Sequence, residues 1–429
     1  MDKGFLPTTW NEGTSCYSEF EGFDVVFITG DPYYDHPLNG VSIIARLLNA
    51  KGYRVGIIPQ PLRDEDYKVC KKPKYFFCIS SGLLDSMLAN YTPMLKKREN
   101  VLVPERALMV YTQKVKEAFK GCMTVLGGVE ATLRRFTHFD YKTNELRRGI
   151  LNDTKADILI FGNGDRSILT LLERMKKAEK QTKGTDFEKV RDSLDLKTID
   201  GIAFRIKKQE INEKIRKLPS YEDCIKEKEN FTLLTRMHYL LPDAPFIESC
   251  GLGLIQHNRS SHTLQERELD LIYELPFTRK IHPKTKNIEF QKEMLGKLDN
   301  SVVIGRGCWG SCNFCVIPLV QGKEVAKRSK KSILKEIESL YKKGEKKIND
   351  LTLPTLNMYG SYCELYDTEE KIQSSIVNEE ITVYNKPKYC NQQCNGCKYR
   401  KINEDLVSIL EGVEKLQKKY KDTRLELRS

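Results

Sequence analysis

Three cysteines, Cys308, Cys312 and Cys315, stand at C-x3-C-x2-C spacing in the run Gly305-Arg306-Gly307-Cys308-Trp309-Gly310-Ser311-Cys312-Asn313-Phe314-Cys315, directly after the apolar Val302-Val303-Ile304. Thiolates are the ligands that soft metals select. A compact loop of this spacing can aim three thiolates at three corners of an iron–sulfur cubane and leave the fourth iron open to a small molecule. Gly305, Gly307 and Gly310 let the backbone wrap closely around an inorganic group, and Phe314 can shield one of its faces from water. Structural zinc asks for four ligands, usually in paired halves, whereas this loop offers three in one piece. The spacing favours a 4Fe-4S cluster over zinc.

The same spacing recurs at Cys390, Cys394 and Cys397, with Cys363 upstream. Four thiols in a polar loop suit a structural zinc or an auxiliary iron–sulfur cluster, and free loop cysteines are the plainer alternative. No clear strand precedes this second loop, so it ranks as auxiliary to the first. Cys16, Cys70, Cys78, Cys122, Cys224 and Cys250 are scattered and read as packing residues. With 13 cysteines in all and no sign of export, clusters are read as metal ligands or redox groups before disulfides.

Elements that could position such loops are legible on both sides. A short apolar run at 24–28 leads through a turn and a helical stretch to a second at 54–58, and further runs at 75–79, 123–126 and 158–161 each precede a polar or glycine-containing turn and a helical stretch. This alternation predicts an α/β domain with a doubly wound parallel sheet and helices on both faces. Ligands in such sheets sit beyond the carboxyl ends of the strands. There the turns read Thr29-Gly30-Asp31, Ser80-Ser81-Gly82, Gly127-Gly128 and Gly162-Asn163-Gly164-Asp165. Glycine that merely lets the chain turn explains any one of them; four together point to a ligand crevice. The expected organisation is an α/β domain over 1–220, a connector over 221–297, and a domain over 298–429 that carries both cysteine loops.

Composition sets the outer bounds. The chain has 429 residues, too many for one ordinary core, and at 40% hydrophobic and 30% charged it should fold. Lysine and arginine exceed the acids by 71 to 59, a net charge of +12. The excess is dispersed over stretches such as Lys342, Lys343, Lys346 and Lys347, which read as solvated helix faces, and it is little interleaved with aromatics, which argues against nucleic acid as the partner. No positive segment followed by an apolar run opens the chain, and no window reaches the roughly 18 apolar residues a bilayer crossing needs. A cytoplasmic address and no membrane contact are expected.

At this point the text resembles the YgiQ-type radical S-adenosylmethionine (SAM) family, nearly from end to end. The resemblance is carried by the cysteine loop, by Thr29-Gly30-Asp31-Pro32-Tyr33-Tyr34-Asp35-His36-Pro37 with Gly40, by Gly127-Gly128-Val129-Glu130-Ala131 and Leu133-Arg134-Arg135. Tyr273-Glu274-Leu275-Pro276-Phe277-Thr278-Arg279 and Pro354-Thr355-Leu356-Asn357-Met358-Tyr359 extend it. It implies an N-terminal domain similar to cobalamin-binding domains, followed by a TIM-type barrel with the cluster at the carboxyl end of its first strand. It implies further that SAM binds the open iron and is cleaved reductively to a deoxyadenosyl radical, with the electron coming from a flavodoxin or ferredoxin. Phe314 would pack beside the cluster, and Asp350, Thr352, Pro354 and Asn357 would lie near SAM. Cobalamin is a further cofactor that the N-terminal domain could hold. No residue names the substrate.

Three departures from that pattern stand in the sequence. Cobalamin modules that ligate cobalt use Asp-x-His-x-x-Gly, and here Asp35-His36-Pro37-Leu38-Asn39-Gly40 is out of register, so His36 reads as a hydrogen-bonding residue. Thr352-Leu353 stands where the family usually has a Gly-Gly pair that helps to receive SAM. After Ile304 only two further strand-like runs, 348–353 and 424–427, precede Ser429, where a closed barrel needs about six to eight strands. The chain therefore reads as cut short, with the remaining strands expected from a second polypeptide. A catalytically inactive or split-gene protein that only binds iron–sulfur or zinc is the alternative function.

Overall fold

The computed structural model describes residues 4–181, 190, 193–241, 243–251, 253–310, 312–365, 368–385, 394–402 and 404–427. The chain divides into two compact units, the first mainly of residues 6–31 and 48–261, the second mainly of residues 32–47 and 262–429.

In the first unit the apolar runs become strands as their composition requires. They are β1 (Val25–Thr29), β2 (Val55–Pro59), β3 (Phe76–Ser80), β4 (Met123–Leu126) and β5 (Ile158–Ile160). All five pair in parallel, in the order β2-β1-β3-β4-β5. Nearly every side chain on them is buried, as expected of strands covered on both faces. Helices α1 (Ala107–Ala118) and α2 (Gly128–Leu133) follow β3 and β4, and Leu108, Tyr111 and Val115 of α1 join Phe77, Ile79 and Leu126 in one core. Helix α3 (Asp165–Gln181) follows β5 and buries Ile168, Leu169, Leu172 and Met175.

The sheet does not stop there. Strands β6 (Ile202–Ile206), β7 (Arg216–Lys217), β8 (Phe246–Cys250) and β9 (Gly253–His257) extend it to the order β7-β8-β9-β6-β5-β4-β3-β1-β2. The pairs β5/β6, β6/β9 and β9/β8 are antiparallel, so the sheet is mixed beyond β5. Residues 246–257, expected within a connector, are thus two sheet strands closed by a tight hairpin. Their pattern was hidden because Glu248, Gln256 and His257 are buried polar residues that interrupt the apolar run. Helix α4 (Lys228–Leu240) precedes this hairpin.

The second unit contains two strand–helix–strand repeats. Helix α5 (Glu266–Tyr273) leads to β10 (Ser301–Val303), which pairs in parallel with a later strand, β14 (Asp350–Thr352). Between them come β11 (Gly305–Arg306), β12 (Ala326–Lys327), helix α6 (Lys330–Lys342) and β13 (Lys347–Ile348). Strand β15 (Tyr362–Cys363) opens a hairpin region, β16 (Thr368–Ser374) with β17 (Glu379–Asn385), and β18 (Arg400–Lys401) pairs back with β15. Helix α7 (Asp405–Lys419) then leads to β19 (Arg424–Leu425), which lies parallel to β13. Val302, Ile304, Ile333, Ile337, Leu351, Leu353, Ile409 and Val413 pack as one core. The fully buried Arg328 pins it, donating to the Val303 carbonyl at 2.7 Å and to Ser332 Oγ at 2.8 Å and pairing with Glu336.

Candidate metal centre

The loop that carries Cys308, Cys312 and Cys315 leaves the carboxyl end of β10 through β11, which pairs antiparallel with β12. Local sequence dictates how closely it folds. A Cβ on Gly305 would sit 2.5 Å from the Ala326 carbonyl oxygen, and Gly307, at φ +97°, would overlap the Glu324 carbonyl outright. Both positions therefore exclude any side chain, and Gly307 holds a conformation that glycine adopts without strain. Gln321 Oε1 accepts the Gly307 N–H at 3.1 Å, and the Gly322 carbonyl accepts that of Cys308 at 3.1 Å. The loop is thereby sewn to 321–326 before its first thiol.

Gly310 is the centre of the arrangement. The space its missing Cβ would fill is bounded by Cys308 Sγ at 3.2 Å and Cys312 Sγ at 4.0 Å, with the methyl end of Met358 at 3.9 Å. The chain turns between Cys312 and Cys315, the Cys315 N–H donating to the Cys312 carbonyl at 3.0 Å. Burial pushes the Cys308 thiol above its ordinary value, the Gly310 amide opposes this, and the neighbouring Cys315 and Cys312 add to the rise. The Cys308 sulfur thus lies close enough to both neighbouring cysteines to feel them, and a bound cation would offset that repulsion. Among the described residues no three His, Cys, Asp or Glu side chains close on a single ion. Three thiols on one loop match three irons of a cubane, whereas structural zinc takes four ligands. The donor set fits a 4Fe-4S cluster.

The other expected site residues are placed unevenly. Leu353 is buried against Gly305, its Cδ1 3.1 Å from the would-be Cβ, and the Thr352 carbonyl accepts the Ile304 N–H at 3.1 Å as part of the β10/β14 pairing. Asp350 pairs with Ser301 at the start of β10, two residues further from the cysteine loop than Thr352. Pro354 and Asn357 follow β14, and Asn357 is exposed one residue before Met358. Phe314 is 90% exposed, so in this conformation it covers no face of the loop.

Of the second cysteine set, Cys390 lies outside the described residues. Cys363 on β15 faces Arg400 on β18, and Arg400 Nη2 donates to Cys394 Sγ at 3.4 Å. The Cys394 carbonyl accepts from the Cys397 N–H, whose own carbonyl accepts from Arg400, each at 3.1 Å. Arg400 also pairs with Glu324 at 2.8 and 3.2 Å and stands 6.0 Å from the Trp309 ring centre. Burial works against the Arg400 charge, but Glu324 and Cys394 outweigh it and hold the guanidinium above its ordinary value. One arginine thus ties the second loop to the segment on which the first is folded. Sequence reading passed over Arg400, although its place three residues after Cys397 was the available signal.

In the first unit, the order β2-β1-β3-β4-β5 puts the topological switch point between β1 and β3. The turns there lie close against neighbouring protein atoms. A Cβ on Gly30 would overlap the Ser81 carbonyl, one on Gly82 the Asp31 carboxylate, and one on Gly128 would sit 2.7 Å from Ser80 Oγ. The glycines here answer close packing of protein on protein. Burial pushes the Asp31 carboxyl up to about 7, against the opposing pull of the Leu83 amide that donates to it at 2.7 Å. His36, in the second unit, is fully buried, with Nε2 2.9 Å from the Asp299 carbonyl and Nδ1 accepting from the Leu38 N–H at 3.1 Å. Both ring nitrogens are engaged, so the residue does not fit a cobalt ligand.

Comparison with known proteins gives a consistent neighbourhood. A family described as radical SAM N-terminal matches residues 5–294. A UPF0313 protein of Methanocaldococcus jannaschii is 38% identical over 377 residues, 84% of this chain and 59% of its own length. One from Geobacter sulfurreducens is 36% identical over 382 residues, 84% of this chain and 60% of its own length. One from Thermotoga neapolitana is 33% identical over 437 residues, 96% and 70% respectively. The chain spans about three-fifths of the length of the first two relatives. Among solved structures, the radical SAM methyltransferase TsrM of Kitasatospora setae, with cobalamin and a 4Fe-4S cluster bound, overlaps 78% of this chain and 48% of its own. Its TM-score is 0.44 at 13% identity, too distant to carry any residue's role across.

Proposed function

The chain belongs to the UPF0313 family of radical SAM proteins, and from that premise we propose that Cys308, Cys312 and Cys315 hold a 4Fe-4S cluster. Such a cluster, when bound, supplies the electron that splits SAM reductively into methionine and a deoxyadenosyl radical able to abstract hydrogen from a substrate. The observation that carries the reading is the bare face of Gly310, flanked by the sulfurs of Cys308 and Cys312, on a loop where Gly305 and Gly307 admit no side chain.

The chain's own contribution is positioning. Strands β10 and β11 hold the loop, the 321–326 segment fixes its first turn, and Met358 and Cys308 close one wall with the apolar core behind them. Pro354 and Asn357, on the segment that ends at Met358, are the residues available to a ligand beside the loop; Asp350 is set further back. A partner that delivers one electron, of the flavodoxin or ferredoxin class, is part of this reading. Cobalamin stays a candidate cofactor of the first unit, with His36 supplying it no cobalt ligand.

A second reading, a protein that binds metal without turning over SAM, is favoured by one observation. The position that usually carries two glycines has the Thr352 carbonyl engaged by Ile304 and the Leu353 side chain packed against Gly305. Anaerobic reconstitution with iron and sulfide separates the two. The expected result is a reducible cluster whose electron paramagnetic resonance spectrum shifts on adding SAM, with deoxyadenosine formed under reductant. Cys308→Ala, Cys312→Ala and Cys315→Ala should each lose most of the iron. Loss of zinc in place of iron overturns the cluster; a cluster blind to SAM leaves the second reading.

A further inference from the structure

The motif Leu133-Arg134-Arg135 takes no part in the cysteine chemistry, yet its two arginines are treated very differently. Arg134 is paired with Asp85, Nε to Oδ2 at 2.8 Å and Nη2 to Oδ1 at 3.0 Å. Arg135, 9% exposed, has neither a carboxylate nor a hydrogen-bond acceptor among the described residues. Its guanidinium lies 4.7 Å from the ring centre of Phe136 and 4.4 Å from that of Phe161. A buried cation without a counter-ion is costly, and aromatic faces repay only part of that cost.

Around Phe136 the same first unit gathers further unsatisfied groups. His257, 1% exposed, stands with its ring centre 4.2 Å from that of Phe136, and neither ring nitrogen has a hydrogen-bond partner among the described residues. Glu248, 2% exposed, accepts the Thr137 N–H on Oε1 at 2.8 Å, while Oε2 has no hydrogen bond and lies 3.8 Å from His257 Nε2. The His238 ring flanks Phe136 at 5.2 Å, and its Nδ1 is likewise buried and unsatisfied. Burial first, then the Arg135 charge, holds His238 down to about 3, and burial also lowers His257, so both rings are neutral near pH 7. Isolated orphans occur in folded proteins; an uncompensated cation, two imidazoles and half a carboxylate around one aromatic ring is a binding constellation.

We infer that Arg135, His238, Glu248 and His257 form a buried site around Phe136 for a small organic anion that carries an N–H or O–H donor a few atoms from its charge. Arg135 takes the anionic end, with Phe136 and Phe161 as its walls. Glu248 Oε2 takes the donor, and the neutral imidazoles supply one donor and one acceptor each between the two ends. Water could satisfy the imidazoles and Glu248, but it brings no charge to Arg135.

The test is a melting and calorimetric panel on the full chain and on Arg135→Leu, Arg135→Lys and Glu248→Gln. Probes are γ-aminobutyrate and γ-hydroxybutyrate, with butyrate and inorganic phosphate as anions that lack the spaced donor. The expected result is saturable binding of the first pair, weakened at least about tenfold by Arg135→Leu and by Glu248→Gln and partly recovered in Arg135→Lys. Without ligand, Arg135→Leu should melt at or above the unsubstituted protein, because a residue kept for binding is released from a destabilising burial. Binding of butyrate or phosphate as tight as that of the donor-bearing probes overturns the role of Glu248. Absence of binding by every probe, with Arg135→Leu melting lower, overturns the site and leaves Arg135 a packing residue. Should Arg135→Leu fail to fold, Glu248→Gln with the same probes decides the question alone.

Discussion

Asp31, at the end of the β1 turn, makes one hydrogen bond that matters to its chemistry, accepting the Leu83 N–H at 2.7 Å, while its carboxylate fills the space above Gly82. Because burial raises its pKa in the folded protein to about 7 from an unfolded value near 3.8, the native state holds this proton more tightly than the unfolded chain. The sign follows: its contribution is fully present below about pH 4 and is lost as pH rises through about 7. Asp31→Asn keeps an acceptor for Leu83 and removes the titration. Chemical denaturation across pH 4 to 7 should show the unsubstituted protein losing stability relative to Asp31→Asn, and a constant difference would refute the buried-carboxyl account. Cys308, Cys312 and Cys315 were legible at this scale because spacing along one loop is a property of the chain itself. Arg400 and Glu324 were not, since 76 residues separate them and only folding brings guanidinium to carboxylate.

Elements carry the next level. Helices α6 and α7 pack with Gly412 facing Leu334, whose Cδ1 lies 2.5 Å from where a Cβ would stand. The glycine weakens α7 by helix propensity, about 1 kcal/mol relative to alanine, and its presence inside a 15-residue helix is explained by that approach. Gly412→Val should destabilise the second unit by roughly 1–3 kcal/mol through overpacking, and Leu334→Ala in the same chain should restore part of the loss. Urea denaturation measures both; no loss in Gly412→Val would mean that the helices can part without cost. Strands β1 to β5 were legible because parallel strands buried on both faces are continuous apolar text. Strands β8 and β9 were not, since Glu248, Gln256 and His257 break that text with polar groups whose burial the sequence does not announce. The glycine-rich turns have a second cause that spacing does not show: at Gly30, Gly82 and Gly128 a side chain would run into neighbouring protein atoms.

At the scale of the whole molecule the two units answer to different chemistry, the first to a sheet and its buried polar cluster, the second to cysteine loops on paired strands. Hydrogen–deuterium exchange before and after anaerobic reconstitution should separate them. Protection is expected to rise over 305–327 and around Cys394 to Lys401, which Arg400 links to Glu324, and to stay unchanged over β1 to β5. A rise confined to the first unit would contradict the assignment of the metal centre. No helix among the described residues is long and apolar enough to cross a membrane. The sequence by itself determined the family, the parallel half of the sheet and the cysteine loop, because all three rest on local patterns of residue type and spacing. Tertiary structure alone decided that Gly310 opens between two sulfurs, that Arg400 joins the second loop to the first, that both His36 nitrogens are engaged, and that Arg135 is buried without a counter-ion. Those facts depend on which distant groups meet and how much water is excluded, and neither quantity is written in the spacing of a chain.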